Sequence, residues 1–589
     1  AAADELDPTG AWSAYSGGQA PLPPMGWNSW NAFYHDVDEE KVIASAQVIV
    51  DSGLADAGYR YINIDDGWWL KRDADTGRMV IRTATFPSAA TGSDRTSFRP
   101  LTDRLHAMGL KAGIYSDIGR NSCGQTFGHG NANNPAGTLA EREVGLYDHI
   151  DQDIALYFGE WGFDYIKVDG CGIRGMGADN PNVQKGIYRE MAPLIDFDSI
   201  AKTDVPAVKD LFAQVGQALV RHNPDGDFLY SLCIWGSANV RSWAKEYGNI
   251  SRTSEDIAPY WGRMLHNLDS ASRRALYAQP GNWNDPDMLF VGTGDFDSDH
   301  PAEARSHFSL WAMLNAPLII GYDLRKATPE QLAILGNRDL IALNQDPAGN
   351  QAVLAYDTED VQFFVKMLAD GTKAVALFNR TATPMPVTLT ADHLKYAADG
   401  QVALTDLWSG EASSFTGEQA FTLAPHETRV FRAAGTRALP GGMYLSEMPG
   451  RINVAEEGID FPEPDPMIHS AIVPWQNTRS NGERPRYTGW GGARADSTPY
   501  GQMLRIADRE FLTGIGVLAN SRLEVRGDGF RRFSAMVGRD DSGSDDGSRV
   551  RFEVYGDGKL LGASEWMGLA EPAKPLSVDT GGAAIVELV

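Results

Sequence analysis

The feature that most constrains the fold is an alternation of short apolar runs with helical patterns between residues 20 and 345. Val42, Ala46 and Ile49, for example, recur at the spacing of one helix face. Such alternation indicates parallel strands with crossover helices, and its length favours a (β/α)8 barrel. The chemistry of such a barrel lies at the carboxyl ends of its strands. Apolar runs predict strands at residues 59–64, 110–115, 164–168 and 228–232.

The pattern changes after residue 347, where alternating apolar and polar residues replace the helical spacing. This change predicts an antiparallel β-sandwich, and a Gly/Pro link at residues 439–442 separates it from a further β-rich stretch. The predicted fold class is therefore α/β plus all-β. We expect a barrel over 20–347, a β-sandwich over 348–436 and a second β-sandwich over 443–589.

Length and charge limit the classes of function. A chain of 589 residues suits one large domain with one or two smaller ones. The net charge of −26 argues against nucleic acid or an anionic membrane as a partner, because phosphates would be repelled. No run of about 18 apolar residues predicts a membrane span.

The cysteines and the first residues bear on the cellular compartment. The chain has 3 cysteines, of which Cys123 and Cys171 lie near predicted strand ends and could pair, leaving Cys233 over. Residues 1–4 resemble the short N-terminal remnant that follows signal-peptide cleavage, although residues added by an expression vector would look similar. We expect a secreted or periplasmic protein of bacterial type.

The segment 165–171 carries the strongest signal for chemistry. Two apolar residues alternate with Lys167 and Asp169 before Gly170 ends the run, which predicts a buried strand delivering both charges to its carboxyl end. A rigid, ionised carboxylate beside a cation suits a nucleophile or a charge stabiliser. Alternatively, Asp169 caps the following helix.

Two adjacent carboxylates, Asp65 and Asp66, follow the predicted strand at 59–64 and precede Trp68 and Trp69. Adjacent acids repel each other, so they need a partner, and sugar hydroxyls donate suitable hydrogen bonds. The alternative is a helix N-cap followed by a solvated aspartate.

A second charged cluster spans residues 252–256, where Arg252 could bind hydroxyls and Asp256 or Glu255 could donate a proton. Such a cluster also occurs at the start of a helix. Asp285 and Asp287 lie in a segment rich in turn formers, where they either brace the site or serve the turn. Carboxylates on different strand ends are what glycosidic hydrolysis requires, and Asp169 with Asp256 is such a pair.

Other chemistries lack their motifs. Histidines are scattered, no phosphate-binding loop or nucleophile elbow is present, and we expect no metal or cofactor. The acidic loop at 538–547 could hold calcium, but its spacing is not that of a helix–loop–helix site, so a solvated loop is the preferred interpretation.

Several segments together resemble glycoside hydrolase family 27, which contains α-galactosidases and α-N-acetylgalactosaminidases. The likeness covers about residues 20–435 and implies a (β/α)8 barrel followed by an antiparallel β domain. The tail from about residue 443 is similar to a carbohydrate-binding module often fused to such hydrolases. The segments that carry the family resemblance are 25–33, 63–68, 165–171, 252–256, 281–289 and 316–325.

The resemblance implies roles for individual residues. Asp169 matches the nucleophile and Asp256 the general acid/base, while Cys123 and Cys171 match a pair that forms a disulfide in relatives. The implied substrate-binding residues are Trp30, Asp65, Asp66, Tyr115, Lys167, Cys171, Trp235, Arg252 and Met288.

The chain also departs from the family pattern. Gly67 replaces a disulfide cysteine, and Ile234 replaces a Glu or Gln expected near the sugar 2-hydroxyl. With the small Ser237, Ile234 leaves room at C2 and offers an apolar contact there. Residues 173–205 resemble an inserted loop, which we expect to lie over the cleft.

These observations predict a retaining exo-α-glycosidase for terminal α-D-galactosyl residues, with a carbohydrate as partner and possible glycan binding by the tail. The alternatives within the family are α-N-acetylgalactosaminidase, β-L-arabinopyranosidase and isomalto-dextranase. The alternative from another class is a non-catalytic sugar-binding protein.

Overall fold

The computed structural model describes residues 4–14, 17–128, 131–196, 200–223, 225–459 and 492–589. Residues 1–3 of the expected N-terminal remnant and residues 197–199 of the expected insertion lie outside this set. No helix within the described ranges is both long enough and apolar enough to cross a bilayer.

Eight parallel strands form the first sheet and close into the predicted barrel. β8 pairs with β1, and the remaining strands follow in chain order from β1 to β7. Leu289 closes the gap between β7 and β8, since its N–H donates to the Ile319 carbonyl over 2.8 Å. The strands are β1 Met25–Asn28, β2 Tyr61–Asn63, β3 Lys111–Asp117, β4 Tyr165–Asp169, β5 Leu229–Cys233, β6 Ile250–Arg252, β7 Trp283–Asp285 and β8 Leu318–Ile320.

Helices cover the outside of the barrel between these strands. The helix Glu39–Asp51 shows why they form: Asp38 caps it by accepting from the Lys41 N–H, and Val42, Ala46 and Ile49 bury its apolar face. The other principal helices are Arg99–Ala107, Ile150–Ile154 with its π-helical continuation Ala155–Glu160, Val205–His222, Trp261–Ser272, Pro301–Met313, Pro329–Leu335 and Arg338–Asn344.

Short helices lie in the loops, all but Leu54–Ala57 at the carboxyl ends of the strands, and a two-stranded hairpin follows β2. The hairpin pairs Trp69–Arg72 with Met79–Ile81. The short helices are Trp30–Phe33, Leu54–Ala57, Cys123–Phe127, Leu139–Arg142, Pro181–Gln184 and Val240–Trp243, with 3₁₀ turns that include Cys171–Ile173.

An antiparallel β-sandwich follows the barrel, as the alternating pattern predicts. Its six-stranded sheet has the order β9-β10-β11-β16-β13-β14, and β12 pairs with β15. Arg380 ties it to the barrel through two 2.8 Å hydrogen bonds to the Asp269 carboxylate. The strands are β9 Val353–Asp357, β10 Val361–Met367, β11 Lys373–Asn379, β12 Met385–Thr390, β13 Gln401–Asp406, β14 Ala412–Thr416, β15 Glu418–Leu423 and β16 Thr428–Ala434.

The C-terminal part is also β-rich, and it packs directly on the barrel. Its apolar core includes Tyr277, whose hydroxyl donates to Glu457 over 2.8 Å. The chain's beginning joins it too, because the N–H groups of Thr9 and Gly10 donate to Glu587. The strands are β17 Ile452–Glu457, β18 Arg494–Ala495, β19 Leu504–Ile506, β20 Arg509–Phe511, β21 Ile515–Gly516, β22 Ser521–Arg526, β23 Arg532–Val537, β24 Glu553–Gly556, β25 Lys559–Ala563, β26 Lys574–Asp579 and β27 Ile585–Leu588.

Candidate active site

The ends of β3, β4 and β5 lie side by side and carry the centre of the site. Their register aligns Asp117 with Asp169 and Asp169 with Cys233. Asp169 is only 7% exposed, and its Oδ2 accepts a 3.0 Å hydrogen bond from the Tyr115 hydroxyl. Lys167 lies two residues earlier on β4 and therefore on the same face of the strand. The sequence prediction of a charge-bearing strand end is confirmed here.

The electrostatics of Asp169 follow from its burial. Burial raises its pKa to about 6, the Lys167 ammonium opposes the shift, and the carboxylates of Asp256 and Asp65 add to it. The Tyr115 hydrogen bond also lowers the pKa, because it favours the charged form. Asp169 thus ionises close to neutrality rather than in strong acid.

Asp65 and Asp66 point to different partners although they are neighbours. Asp65 Oδ2 accepts from Lys167 Nζ over 3.0 Å and from Asn28 Nδ2 over 2.9 Å. Asp66 Oδ2 accepts from the Gly124 N–H over 2.7 Å. Burial raises the pKa of Asp66 to about 7, against that hydrogen bond. Each of the two adjacent acids therefore has a partner: Lys167 for Asp65 and the Gly124 N–H for Asp66.

Arg252, at the end of β6, joins two carboxylates. Its Nη2 is 2.9 Å from Asp256 Oδ1 and 3.1 Å from Asp287 Oδ2. Asp287 is itself fixed, since its Oδ2 accepts from the Ile257 N–H over 2.8 Å. Asp287 therefore braces Arg252, which was one of two roles that the sequence allowed.

Asp256 is more exposed to solvent than the other carboxylates of the site. Its side chain is 48% exposed, whereas the Arg252 side chain is almost fully buried. Desolvation raises the pKa of Asp256, but the charges of Arg252 and Lys167 outweigh it and hold the pKa below its usual range. A carboxylate with this exposure can exchange protons with a bound ligand or with water.

Apolar and aromatic side chains surround these charges. Trp30 is half-buried, and its ring lies 4.8 Å from the His35 ring in a T-shaped contact. Met288 is buried in the loop after β7, where its sulfur accepts from Asn31 Nδ2 over 3.5 Å. Trp235 adopts a positive φ of 62° after β5. Strained backbone of this kind is frequent at ligand sites.

The position expected to face C2 is packed more tightly than the sequence suggested. Ile234 is completely buried. A Cβ atom at Gly170 would lie 2.7 Å from Ile234 Cγ2 and 3.7 Å from the Trp235 ring. The Ile234 side chain thus fills the space beneath Gly170, and it presents no exposed surface.

The loops after β3 and β4 are joined by the disulfide between Cys123 and Cys171, as both the residue positions and the family resemblance allowed. Asp117 lies beside it and accepts from the Gly119 and Gly172 N–H groups. Within the described ranges, Asp117 and these two cysteines form one cluster of potential metal ligands, but both sulfur atoms are taken up by the disulfide.

Carboxylates of the acidic loop at 538–547 accept hydrogen bonds from the segment 505–507 and from within the loop. Asp540 accepts from the Arg505 N–H over 2.9 Å, Asp541 from the Ala507 N–H over 2.8 Å and Asp546 from Arg539 Nη2 over 3.0 Å. The preference for a solvated loop over a calcium site stays a prediction.

Sequence reasoning missed several residues at the mouth of the site. Arg174 lies 5.3 Å from the Trp235 ring centroid and 3.8 Å from Glu255. Tyr34 is exposed with a φ of 52°. Partial burial raises the pKa of Tyr34, and Tyr260 and Asp256 add to the rise. In the sequence, Arg174 and Tyr34 stand out only by lying close to the motifs, and this closeness does not show where their side chains point.

The arrangement combines a buried carboxylate, an exposed carboxylate and several fixed hydrogen-bond donors at one end of a barrel. Such a set can form a covalent bond through one acid and move a proton through the other. The surrounding lysine, arginine and carboxylates suit a ligand rich in hydroxyl groups.

Comparison with known families identifies what the chain resembles. The profile of the family described as Alpha galactosidase A matches residues 22–346. The Alpha galactosidase C-terminal beta sandwich domain matches residues 358–433, and the NPCBM/NEW2 domain matches residues 474–589.

Individual α-galactosidases are also similar to this chain in sequence and in fold. The chain is 34% identical over 420 residues to the α-galactosidase of Oryza sativa subsp. japonica, covering 71% of this chain and 86% of that protein. It is 34% identical over 423 residues to α-galactosidase 2 of Arabidopsis thaliana, covering 72% and 91%. The crystal structure of α-galactosidase I from Mortierella vinacea superposes with a TM-score of 0.59 and 27% identity, covering 72% of this chain and 99% of that one.

Proposed function

This chain belongs to the α-galactosidase family, glycoside hydrolase family 27, and on that premise we propose that it is a retaining exo-α-glycosidase. Its substrates are oligo- or polysaccharides that end in α-D-galactosyl residues. The observation that carries the proposal is the pair formed by buried Asp169 and half-exposed Asp256 beyond the ends of β4 and β6.

In the first step, Asp169 attacks the anomeric carbon and Asp256 protonates the leaving oxygen. The Tyr115 hydroxyl, 3.0 Å from Asp169 Oδ2, helps to hold the nucleophile in place and in its ionised form. Water then enters with Asp256 as the base, so the configuration at the anomeric carbon is retained.

The contact between Arg252 and Asp256 has to weaken before Asp256 can carry the proton that the first step needs. Arg252 Nη2 contacts Asp256 Oδ1 at 2.9 Å, which favours the ionised acid. A sugar hydroxyl that accepts from Arg252 weakens this contact, so the pKa of Asp256 rises when substrate binds. Asp256 can then enter the first step as an acid and leave it as the carboxylate that the second step needs.

The sugar-binding side of the site rests on Asp65 and Lys167. These two groups form a 3.0 Å ion pair, so a hydroxyl placed between them can accept from the ammonium and donate to the carboxylate. We assign galactose to this position, with Trp30, Asp66, Tyr115, Trp235 and Met288 as the surrounding wall.

Two broader assignments follow from the same premise. The match of residues 474–589 to the NPCBM/NEW2 domain supports glycan binding by the C-terminal part. The Cys123–Cys171 disulfide supports an exported protein, because such bonds persist in oxidising compartments.

A panel of nitrophenyl glycosides tests the proposed activity. We expect nitrophenol release from the α-D-galactoside and, with Asp169→Asn, loss of turnover in a protein that keeps its unfolding temperature. Faster release from the N-acetyl-α-galactosaminide, the β-L-arabinopyranoside or an α-glucoside would replace galactose with that sugar. No release from any glycoside would contradict the enzyme and favour a sugar-binding protein.

A further inference from the structure

Three side chains outside the set assigned to the galactose ring, those of Arg174, Glu255 and Phe127, meet Trp235 of the galactose wall at the mouth of the site. The Arg174 guanidinium lies 5.3 Å from the Trp235 ring centroid and 5.8 Å from the Phe127 ring centroid. Its Nη2 is 3.8 Å from Glu255 Oε1. These residues come from the loops after β3, β4, β5 and β6, so they converge from four strand ends.

The group lies next to both catalytic acids. Glu255 directly precedes Asp256 in the chain, and the Trp235 ring packs against Gly170, which directly follows Asp169. Because Asp256 protonates the oxygen that leaves, side chains around its loop face the part of the substrate beyond the scissile bond.

Glu255 leaves a hydrogen-bonding position open. The residue is 8% exposed, and its buried Oε1 has no hydrogen-bond partner. The separation of 3.8 Å from Arg174 is longer than a hydrogen bond. The Arg174 side chain is 32% exposed, so a ligand hydroxyl that reaches the mouth can accept from its guanidinium, and it can donate to Glu255 where the two groups face each other. An unpaired buried acceptor costs stability, and a ligand hydroxyl would recover that loss.

The aromatic ring of Phe127 lies near the gap between Arg174 and Glu255. Phe127 is 57% exposed, so its ring is accessible to a ligand. It ends the helix Cys123–Phe127, whose first residue is bonded to Cys171 near the start of the Arg174 loop. The disulfide therefore fixes the ring and the guanidinium relative to each other. Apolar ring faces of this kind suit the C–H face of a pyranose.

We propose that Arg174, Glu255, Phe127 and Trp235 form a leaving-group subsite that binds the sugar attached to the terminal galactose. This inference rests on the proposed function and adds the second ring to it. The occupant is a neutral hexose, since Glu255, which lies 3.8 Å from Arg174 and 3.9 Å from Arg263, and the neighbouring Asp256 would repel an acidic sugar.

The test compares two donors that share the galactosyl ring. One is an α-1,6-linked galactosyl-hexose disaccharide, and the other is α-D-galactosyl fluoride, which has no second ring. For Arg174→Gln we expect the ratio of kcat/KM for the disaccharide to kcat/KM for the fluoride to fall about tenfold, as for loss of one charge-assisted hydrogen bond. Glu255→Gln should lower the ratio in the same direction.

Arg189→Ala is the matched control. Arg189 lies in the same inserted segment, and its guanidinium pairs with Glu143, which is not one of these four residues, over 2.6 Å. Its ratio should equal that of the wild type, and thermal unfolding should show that all variants remain folded.

Three results would overturn the inference. An unchanged ratio for Arg174→Gln would do so, whether both donors slow together or neither does. A shifted pH profile of kcat/KM with the altered ratio would place the effect on Asp256 instead of on the second sugar. A wild-type enzyme that hydrolyses neither donor would overturn the proposed function as well, and so is distinguishable from the first two.

Discussion

The Tyr115 hydroxyl donates a 3.0 Å hydrogen bond to Asp169 Oδ2, and this contact joins the ends of β3 and β4 at the proposed nucleophile. Burial raises the pKa of Asp169 to about 6, and the phenol is one of the groups that oppose the rise. The nucleophile must be ionised to attack, so activity should fall as the pH drops below about 6.

Tyr115→Phe should move this loss of activity to higher pH. Removing the hydrogen bond destabilises the carboxylate, so the pKa of Asp169 rises and protonation begins earlier as the pH falls. We expect the acid limb of kcat/KM to shift upward by about one unit, since a hydrogen bond to a charged group contributes about 1.5 kcal/mol or more. The measurement is the pH dependence of kcat/KM. An acid limb that stays in place would contradict the assignment of Asp169 as the group that must ionise.

Asp287→Asn should slow the enzyme through Arg252. The Asp287 carboxylate lies 3.1 Å from Arg252 Nη2, and without its charge the guanidinium is balanced more by Asp256. The pKa of Asp256 then falls further, and less of it carries the proton that the leaving oxygen requires. We expect kcat/KM to fall about tenfold for the disaccharide and less for the fluoride, which needs little proton assistance.

Asp151→Asn is the control for this change. Asp151 also pairs with an arginine, since its Oδ1 lies 2.8 Å from Arg221 Nη2, but both side chains are on the outer surface of the barrel. Its kcat/KM should match the wild type for both donors. Equal losses for the two donors in Asp287→Asn would contradict the proposed route through proton transfer.

The disulfide should contribute strongly to the stability of the barrel. Cys123 and Cys171 are 48 residues apart, and closing a loop of that length stabilises the folded state by about 4 kcal/mol in the chain-entropy account. The double variant Cys123→Ser/Cys171→Ser should therefore unfold at a lower temperature in calorimetry. Reductant should lower the unfolding temperature of the wild type but not of the variant, and equal responses would contradict the expectation.

The sequence predicted the barrel because strand and helix periods alternate over more than three hundred residues, and the strand predicted at 164–168 is observed at Tyr165–Asp169. Lys167 and Asp169 were found for the same reason, since a two-residue spacing places them on one face. The division at residues 347 and 443 remains a prediction, although the change to antiparallel strands follows it.

The contacts between loops could not be predicted. Nothing in the chain shows that Arg174 reaches Trp235 and Glu255, because the three residues are on different loops and their meeting depends on the barrel's closure. The burial of Ile234 beneath Gly170 is likewise a packing result, and the pattern alone left it as an open contact at C2.

The most direct test of the account is the anomeric form of the first galactose released. Proton magnetic resonance during hydrolysis of an α-D-galactoside distinguishes the two anomers before they interconvert. A double displacement through Asp169 and Asp256 predicts α-galactose as the initial product. Initial β-galactose would mean inversion, which would contradict a covalent intermediate on Asp169.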